Sequence, residues 1–349
     1  MRFNMKRYSF WQGFPPPQFI YSNLRFKSVA LDPPDFKPGS WIGAGKALFD
    51  CENEEFILTA RPRRAGGRVR GYAANVYHSK DGERFTVVSS ITKEEIIDKS
   101  KIMIHSIEGT QLLKDPLTGK WHFYISVDTG AEFIWGGTFW ETLLMIADDL
   151  KGPWETKGLV IRHDQSYDSC QSRDPSIDIV DGTWMCFYRA HNYQRQVRTA
   201  LATSQDGINW AKHGPLRVDQ KEQDRFRMSG TTFSGTSGPI FIGVSARLGG
   251  ESLNYVFLDE GKVPHGRKHD FVAYEVDLKD TNLRTIFRAP WEARSKYEHK
   301  ECPLLGYSSL VQDPAKDRLL FYTEAIGRES EKIGLNETIE RVLVFECQM

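Results

Sequence analysis

Five times along the chain, a turn is followed by an apolar, aromatic-rich run of about six residues and then by a small or polar stop. The runs are 55–60, 121–126, 184–189, 240–245 and 319–324. Their centres lie roughly 55 to 80 residues apart, and a fifth of the 349 residues is about 70, enough for a four-stranded unit with variable loops. That spacing predicts an all-β chain in one domain, a five-bladed β-propeller with a site in the funnel on its axis. The blades fall at about 41–90, 102–162, 170–218, 226–288 and 299–349, leaving 1–40 as an N-terminal segment placed to close the ring.

A second repeat supports the first. Segments 79–85, 147–154 and 204–210 each carry a strand end, a tight polar turn and then an aromatic, Phe85, Trp154 or Trp210. Asp-Gly supplies the positive φ angles of a short hairpin, and the aromatic is free to pack back between adjacent sheets. Helical pattern is scarce. Its best instance starts at Thr92, with Glu95 at capping-box spacing, and predicts a short helix between blades. Glycine-rich phosphate loops, H-E-x-x-H, paired C-x-x-C and G-x-S-x-G are all missing, so nucleotide, zinc and serine-hydrolase chemistries have no motif to rest on.

Lys+Arg and Asp+Glu both number 46, which gives no global bias toward nucleic acid or an anionic membrane. Any charged partner is therefore met locally. Five cysteines without a C-x-x-C pair suit a reducing compartment, and the N-terminal stretch lacks an apolar signal core. No apolar run is long enough to span a membrane. These features predict a cytoplasmic protein, in which the sequon at Asn336 is a chance match.

In a propeller the start of each first strand and the end of each second strand meet at one mouth of the channel. The starts offer Lys46, Glu108, Asp174, Met228 and the stretch 301–308; the ends offer Arg61, Asp128, Arg189, Arg247 and Glu324. Charged groups recur there although each adjoins an apolar run. Proline after Asp174 is expected to hold that aspartate extended at its strand entrance. Gly109, after Glu108, would let a ligand approach the backbone. Arg61, Arg173, Arg189, Arg227 and Arg247, with Lys46 and His191 beside them, would suit an acidic sugar or phosphate, because guanidinium forks bind such groups bidentately. Equally, they would neutralise the funnel carboxylates. Trp135, Phe139 and Trp140 in a glycine-rich insertion read either as a stacking platform for a sugar or as core.

The segments S-R-D-P-S with D-G-T-W-M-C-F-Y-R, I-E-G-T-Q-L-L with G-K-W-H-F-Y-I-S, and A-T-S-Q-D-G-I-N-W resemble the five-bladed propeller glycosidases: glycoside hydrolase families 43, 32, 62 and 117 and the mannoside phosphorylases of family 130. The resemblance covers roughly residues 40 to 215 well and the last two blades by analogy. It implies an exo-acting glycoside hydrolase in which carboxylates from different blades supply acid and base. Asp174 matches the family's Arg-Asp-Pro aspartate, Glu301 in E-C-P-L looks like the acid glutamate of family 32, and Glu108 stands where families 43 and 130 also carry acidic residues. The blade-one aspartate of families 43 and 32 is replaced by Gly45-Lys46-Ala47.

The expected catalytic residues are thus Asp174, Glu108 and Glu301. Those expected to bind a carbohydrate are Lys46, Arg61, His105, Asp128, Arg173, Arg189, His191, Arg227, Arg247, Tyr307 and Glu324. No cofactor and no metal set is expected, an axial ion being left open only through His105 or His191. A glycoside phosphorylase and a non-catalytic carbohydrate-binding propeller are the alternatives. A sialidase reading, from S-Q-D-G-I-N-W, would call for six blades.

Overall fold

The computed structural model describes residues 14–64, 71–130, 139–194, 196–247, 268–333 and 338–349. Trp135 and Asn336 lie outside them. The chain is nearly all β, and the described strands fall into five antiparallel meanders. The first has an inner strand in two pieces, Trp41–Gly43 and Ala47–Asp50, followed by Glu55–Arg63, Ala73–Ser79 and Thr86–Thr92. The second runs through Ser106–Lys114, Trp121–Asp128, Trp140–Ala147 and Glu155–Ile161. Gln171–Val180, Thr183–His191, Val197–Ser204 and Ala211–Pro215 make the third. Met228–Ser234, Pro239–Ala246, His269–Asp277 and Asn282–Pro290 make the fourth. The fifth takes Leu304–Asp313, Arg318–Ile326 and Glu340–Gln348, and its outer strand is the N-terminal Arg25–Leu31, paired antiparallel from Arg25↔Glu346 to Leu31↔Val342.

Each inner strand lies against the next, and Leu304–Asp313 of the fifth meander lies against Ala47–Asp50 of the first. Apolar clusters fill the gaps. One joins Ile57 and Val76 to Phe123 and Met145, a second joins Tyr124 and Leu144 to Trp184 and Tyr188, and a third joins Met185 and Phe187 to Phe241 and Tyr274. A fourth joins Ile242 and Phe271 to Phe321 and Leu343, and a fifth joins Leu320 and Tyr322 to Phe56 and Leu58. Alternate residues of one strand serve opposite gaps: Phe56 and Leu58 face one cluster, Ile57 the other. A strand buried on both faces reads as an unbroken apolar run, which is why all five sequence runs are second strands.

The repeated turns bind neighbouring meanders together. Ser79 and Ser204 each accept from the glycine amide three residues on, and Asp81 and Asp206 each accept from two following amides. The glycine carbonyl left facing outward accepts a tyrosine hydroxyl from the preceding meander: Tyr322 to Gly82 at 2.8 Å, Tyr124 to Gly207 at 2.7 Å. Phe85 and Trp210 pack edge-on against those tyrosines. Replacing Tyr124 by phenylalanine removes one buried hydrogen bond while leaving the ring in place, and is expected to lower stability by about 1 kcal/mol in a denaturant titration. The predicted helix runs Lys93–Ser100, its capping box formed by Thr92 and Glu95.

Candidate active site

The ladder register between inner and second strand breaks at the same level in four of the five meanders. The breaks fall between Gly43 and Ala47, Ile107 and Thr110, Arg173 and Ser176, and Leu304 and Ser308. Only the fourth meander keeps a regular ladder there. A bulge adds backbone on one strand and re-aims its side chains. The residues so released include Lys46, Glu108, Asp174 and Tyr307. Opposite them, Arg61 pairs with Gly43, Arg189 with Arg173 and Asp128 with Ser106.

Asp174 is left-handed at φ 56°, not extended as the following proline suggested. The bulge turns its carboxylate toward two donors: the Gly109 amide reaches Oδ1 at 3.3 Å and Arg189 reaches Oδ2 at 3.2 Å. Its own amide donates to Ser126 Oγ at 2.8 Å, so the backbone is held from a third side. Gly109 serves this packing: a Cβ there would lie 2.7 Å from Asp174 Cα, so the glycine admits a neighbouring strand.

Glu108 is the more open carboxylate, 20% exposed, bonded to Arg173 and 3.7 Å from Arg61. Arg173 lies over the Trp140 ring at 4.6 Å, which makes Trp140 a buried support for the guanidinium. Arg189 is backed in turn by His191, whose Nε2 accepts from its Nε at 2.8 Å. Burial, and then the charges of Arg189, Arg173 and Arg227, hold the His191 imidazole well below its ordinary value, so it stays neutral and able to accept. Tyr307 lies among the same groups: burial first, then Asp174 and Glu108, keep its phenol protonated. These residues come from the first, second, third and fifth meanders.

Glu324 joins them from the end of its second strand. It is 2% exposed, and burial followed by the neighbouring Glu340 holds its carboxyl well above the usual carboxylate range, against the pull of Arg61. Glu340 is the group that sequence reasoning missed. It sits on the last strand beyond the aromatic run, and its only signal is a charged pair, Glu340 and Arg341, opening a strand whose next four residues are apolar.

Lys46, Arg247 and Glu301 lie apart from these contacts. Lys46 is buried, its ammonium donating to Ser176 Oγ at 2.7 Å, Gly230 O at 2.6 Å and Ser308 O at 2.9 Å. Its three donors are committed to three other meanders, so the ammonium acts as a brace. Arg247 pairs with Asp270 at 2.9 Å. His105 and Asp128 stand beside one another at the start of the second meander, and Arg227 is half-buried near His191. Glu301 is exposed, and its carboxylate takes no part in the contacts that gather Glu108 and Asp174; the glutamate of that segment that turns inward is Glu298, bonded to Trp291 and the Arg294 amide. Phe139 stacks on His163 at 5.0 Å, with Tyr193 edge-on. Among the described residues no group of three or more His, Cys, Asp or Glu is gathered to hold a metal ion, and no helix is long and apolar enough to cross a membrane.

No family model matches the chain, and no curated protein matches it. Solved structures do. A family 117 glycoside hydrolase from the marine bacterium Zobellia galactanivorans superposes with a TM-score of 0.56 at 12% identity, over 93% of this chain and 90% of its own. A protein of the GH130 family of mannoside phosphorylases, described with glycoside hydrolases that target β-1,2 mannosidic linkages in Candida mannan, gives 0.57 at 12%, over 92% and 93%. An N-acetylgalactosamine deacetylase from F. plautii, solved with blood group B trisaccharide, gives 0.61 at 11%, over 93% and 95%. At these identities the likeness is one of fold, a nearly all-β fold shared with glycoside hydrolases and with a deacetylase.

Proposed function

We propose that the five meanders are the blades of a propeller, that the bulged end of the inner strands is its funnel, and that the protein is a glycoside hydrolase acting there. The observation that carries this is the convergence of Asp174 and Glu108 from adjacent inner strands, each on a bulge and each held by arginine. Guanidinium and amide donors fix the Asp174 carboxylate in one orientation, and a positioned carboxylate is what general-base catalysis uses. Asp174, bonded on both oxygens and fixed through its backbone, is the base that takes a proton from the attacking water. Glu108, more open and salt-bridged twice, orients Arg61 and Arg173 toward the sugar. Arg61, Arg173 and Arg189 outnumber these two carboxylates, which suits an acidic sugar such as a uronide.

The test is release of sugar from a panel of aryl glycosides and oligosaccharides, uronides included, with and without inorganic phosphate. Hydrolysis independent of phosphate supports the reading, and turnover only with phosphate makes the enzyme a phosphorylase. Saturable sugar binding with no cleavage of any panel member overturns it in favour of a binding propeller. Glu108→Gln keeps the side-chain shape but weakens both salt bridges, so it is expected to raise KM for the best substrate by about tenfold, measured in the same assay.

A further inference from the structure

The hydrolysis proposed above needs a proton for the leaving oxygen, and the two carboxylates nearest the arginines are poor sources of one. Both already accept from cationic side chains, Glu108 from Arg173 and Asp174 from Arg189, so their oxygens are engaged by donors. Glu301 is exposed and apart. The same end of the inner strands holds one more carboxyl group with a different environment.

Glu324 Oε1 and Oε2 are both buried without a side-chain hydrogen-bond partner among the described residues. The carboxyl borders a small cavity lined also by Gly43, Ala44, Gly45, Thr59 and Tyr307. The absence of a side chain at Gly43 creates the room: a Cβ there would lie 2.4 Å from Oε1. Around the group stand Arg61 and the Ala44 amide from the first meander, both of which favour the ionised form, Glu108 from the second, Glu340 from the last strand, and Tyr307 and Tyr322 on the cavity wall. Arg61 itself, 1% exposed, keeps Nε and Nη1 without hydrogen-bond partners among the described residues, so its guanidinium acts on Glu324 through charge and not through a closed fork.

We infer that Glu324 is the proton donor of this site, an inference that rests on the glycosidase reading. Its Oε–H gives the proton to the glycosidic oxygen as the C–O bond breaks and the bond pair passes to that oxygen, so the leaving group departs as a neutral alcohol. Water attacks the anomeric carbon and loses its proton to Asp174. Glu324 ends as carboxylate and Asp174 as acid, and exchange with solvent restores both. Two carboxyls in unlike surroundings, one raised by burial and by Glu340, the other engaged by an amide and a guanidinium, are the arrangement that acid and base catalysis uses.

The experiment uses the full chain with Glu324→Gln and the sugar that the panel identifies, presented once as a dinitrophenyl glycoside and once as an alkyl glycoside. The alkyl substrate needs the proton and the dinitrophenyl substrate does not. The expected result is a kcat loss of about 10² to 10⁴-fold on the alkyl glycoside, a loss under about tenfold on the dinitrophenyl glycoside, and disappearance of the alkaline limb of the alkyl pH profile. Equal losses on both substrates, or an unchanged alkyl rate, overturn the inference while leaving the hydrolase reading intact. A wild type that cleaves nothing overturns both. Folding is checked by melts across pH. Because the folded-state value of Glu324 is raised, its contribution to stability is present in acid and fades as pH rises through that value, so the glutamine variant is expected to match or exceed the wild type on the alkaline side.

Discussion

Lys46→Met is expected to lower the unfolding free energy by about 3–5 kcal/mol, the largest stability effect of any single side chain near the site. The ammonium reaches across from the first meander to Ser176, Gly230 and Ser308 of three others, all buried, so its loss removes three buried hydrogen bonds at once and leaves only the Ser176–Gly230 and Ser229–Ser308 bonds among these groups. It also removes the cation opposed to Asp178. Burial drives the Lys46 value down to about 7 and the Asp178 value up to about 7, and Lys46 is the main influence restraining the latter. Without it, the Asp178 carboxyl moves higher still. A group raised in the folded state stabilises in acid and loses that contribution as pH rises through its folded value, so the deficit relative to wild type is expected to widen on the alkaline side of about 7. Methionine keeps the length of the stem and avoids a cavity, so the measured loss reports the polar bonds. A urea titration at two pH values reads both effects; a variant within about 1 kcal/mol of wild type at both would show that the brace carries no weight.

That brace was legible only as a charge in an odd place. Sequence spacing located the second strands because burial on both faces forces an apolar run, and it located the ends of those strands because a charged residue follows each run. Arg61, Arg189 and Glu324 stand toward the ends of their second strands as that spacing expects. Spacing carries no information on depth, however. Lys46 and Glu108 both stand on bulges at strand starts, yet one ammonium is enclosed by backbone oxygens and the other group faces two arginines. The same limit applies to Asp174, where proline suggested extended backbone and the bulge imposed a left-handed turn. Glu301 was chosen by its motif, and the segment around it instead turns Glu298 inward to Trp291. The state of Glu324 has no signal in its sequence neighbours, because it is set first by burial and then by Glu340 and Arg61, which come from other strands.

Asp174→Asn is expected to depress kcat by about 10² to 10⁴-fold with a KM change under about threefold, on activated and unactivated glycosides alike. The amide preserves shape and the acceptor that faces Gly109, but it cannot take a proton from water, and one face of the amide places an N–H against Arg189. Loss on both substrate types is the property that separates a base from a proton donor, since an activated leaving group spares the donor and never the base. Gly109→Ala approaches the same aspartate without changing any charge. Its new Cβ would lie 2.8 Å from Asp174 Oδ1 as well as 2.7 Å from the Cα, and neither the backbone nor the bonded carboxylate can yield freely. Displacement of the base by about 1 Å is expected to cost on the order of 10²-fold in kcat, with a far-ultraviolet spectrum like that of the wild type. If Asp174→Asn retains full turnover while Gly109→Ala loses it, the bulge positions some other group and Asp174 is only its support. If both lose turnover with KM little changed, the Arg189–Asp174–Gly109 contacts hold a base, and His191 beneath Arg189 becomes the next residue whose replacement should move kcat without touching the sugar.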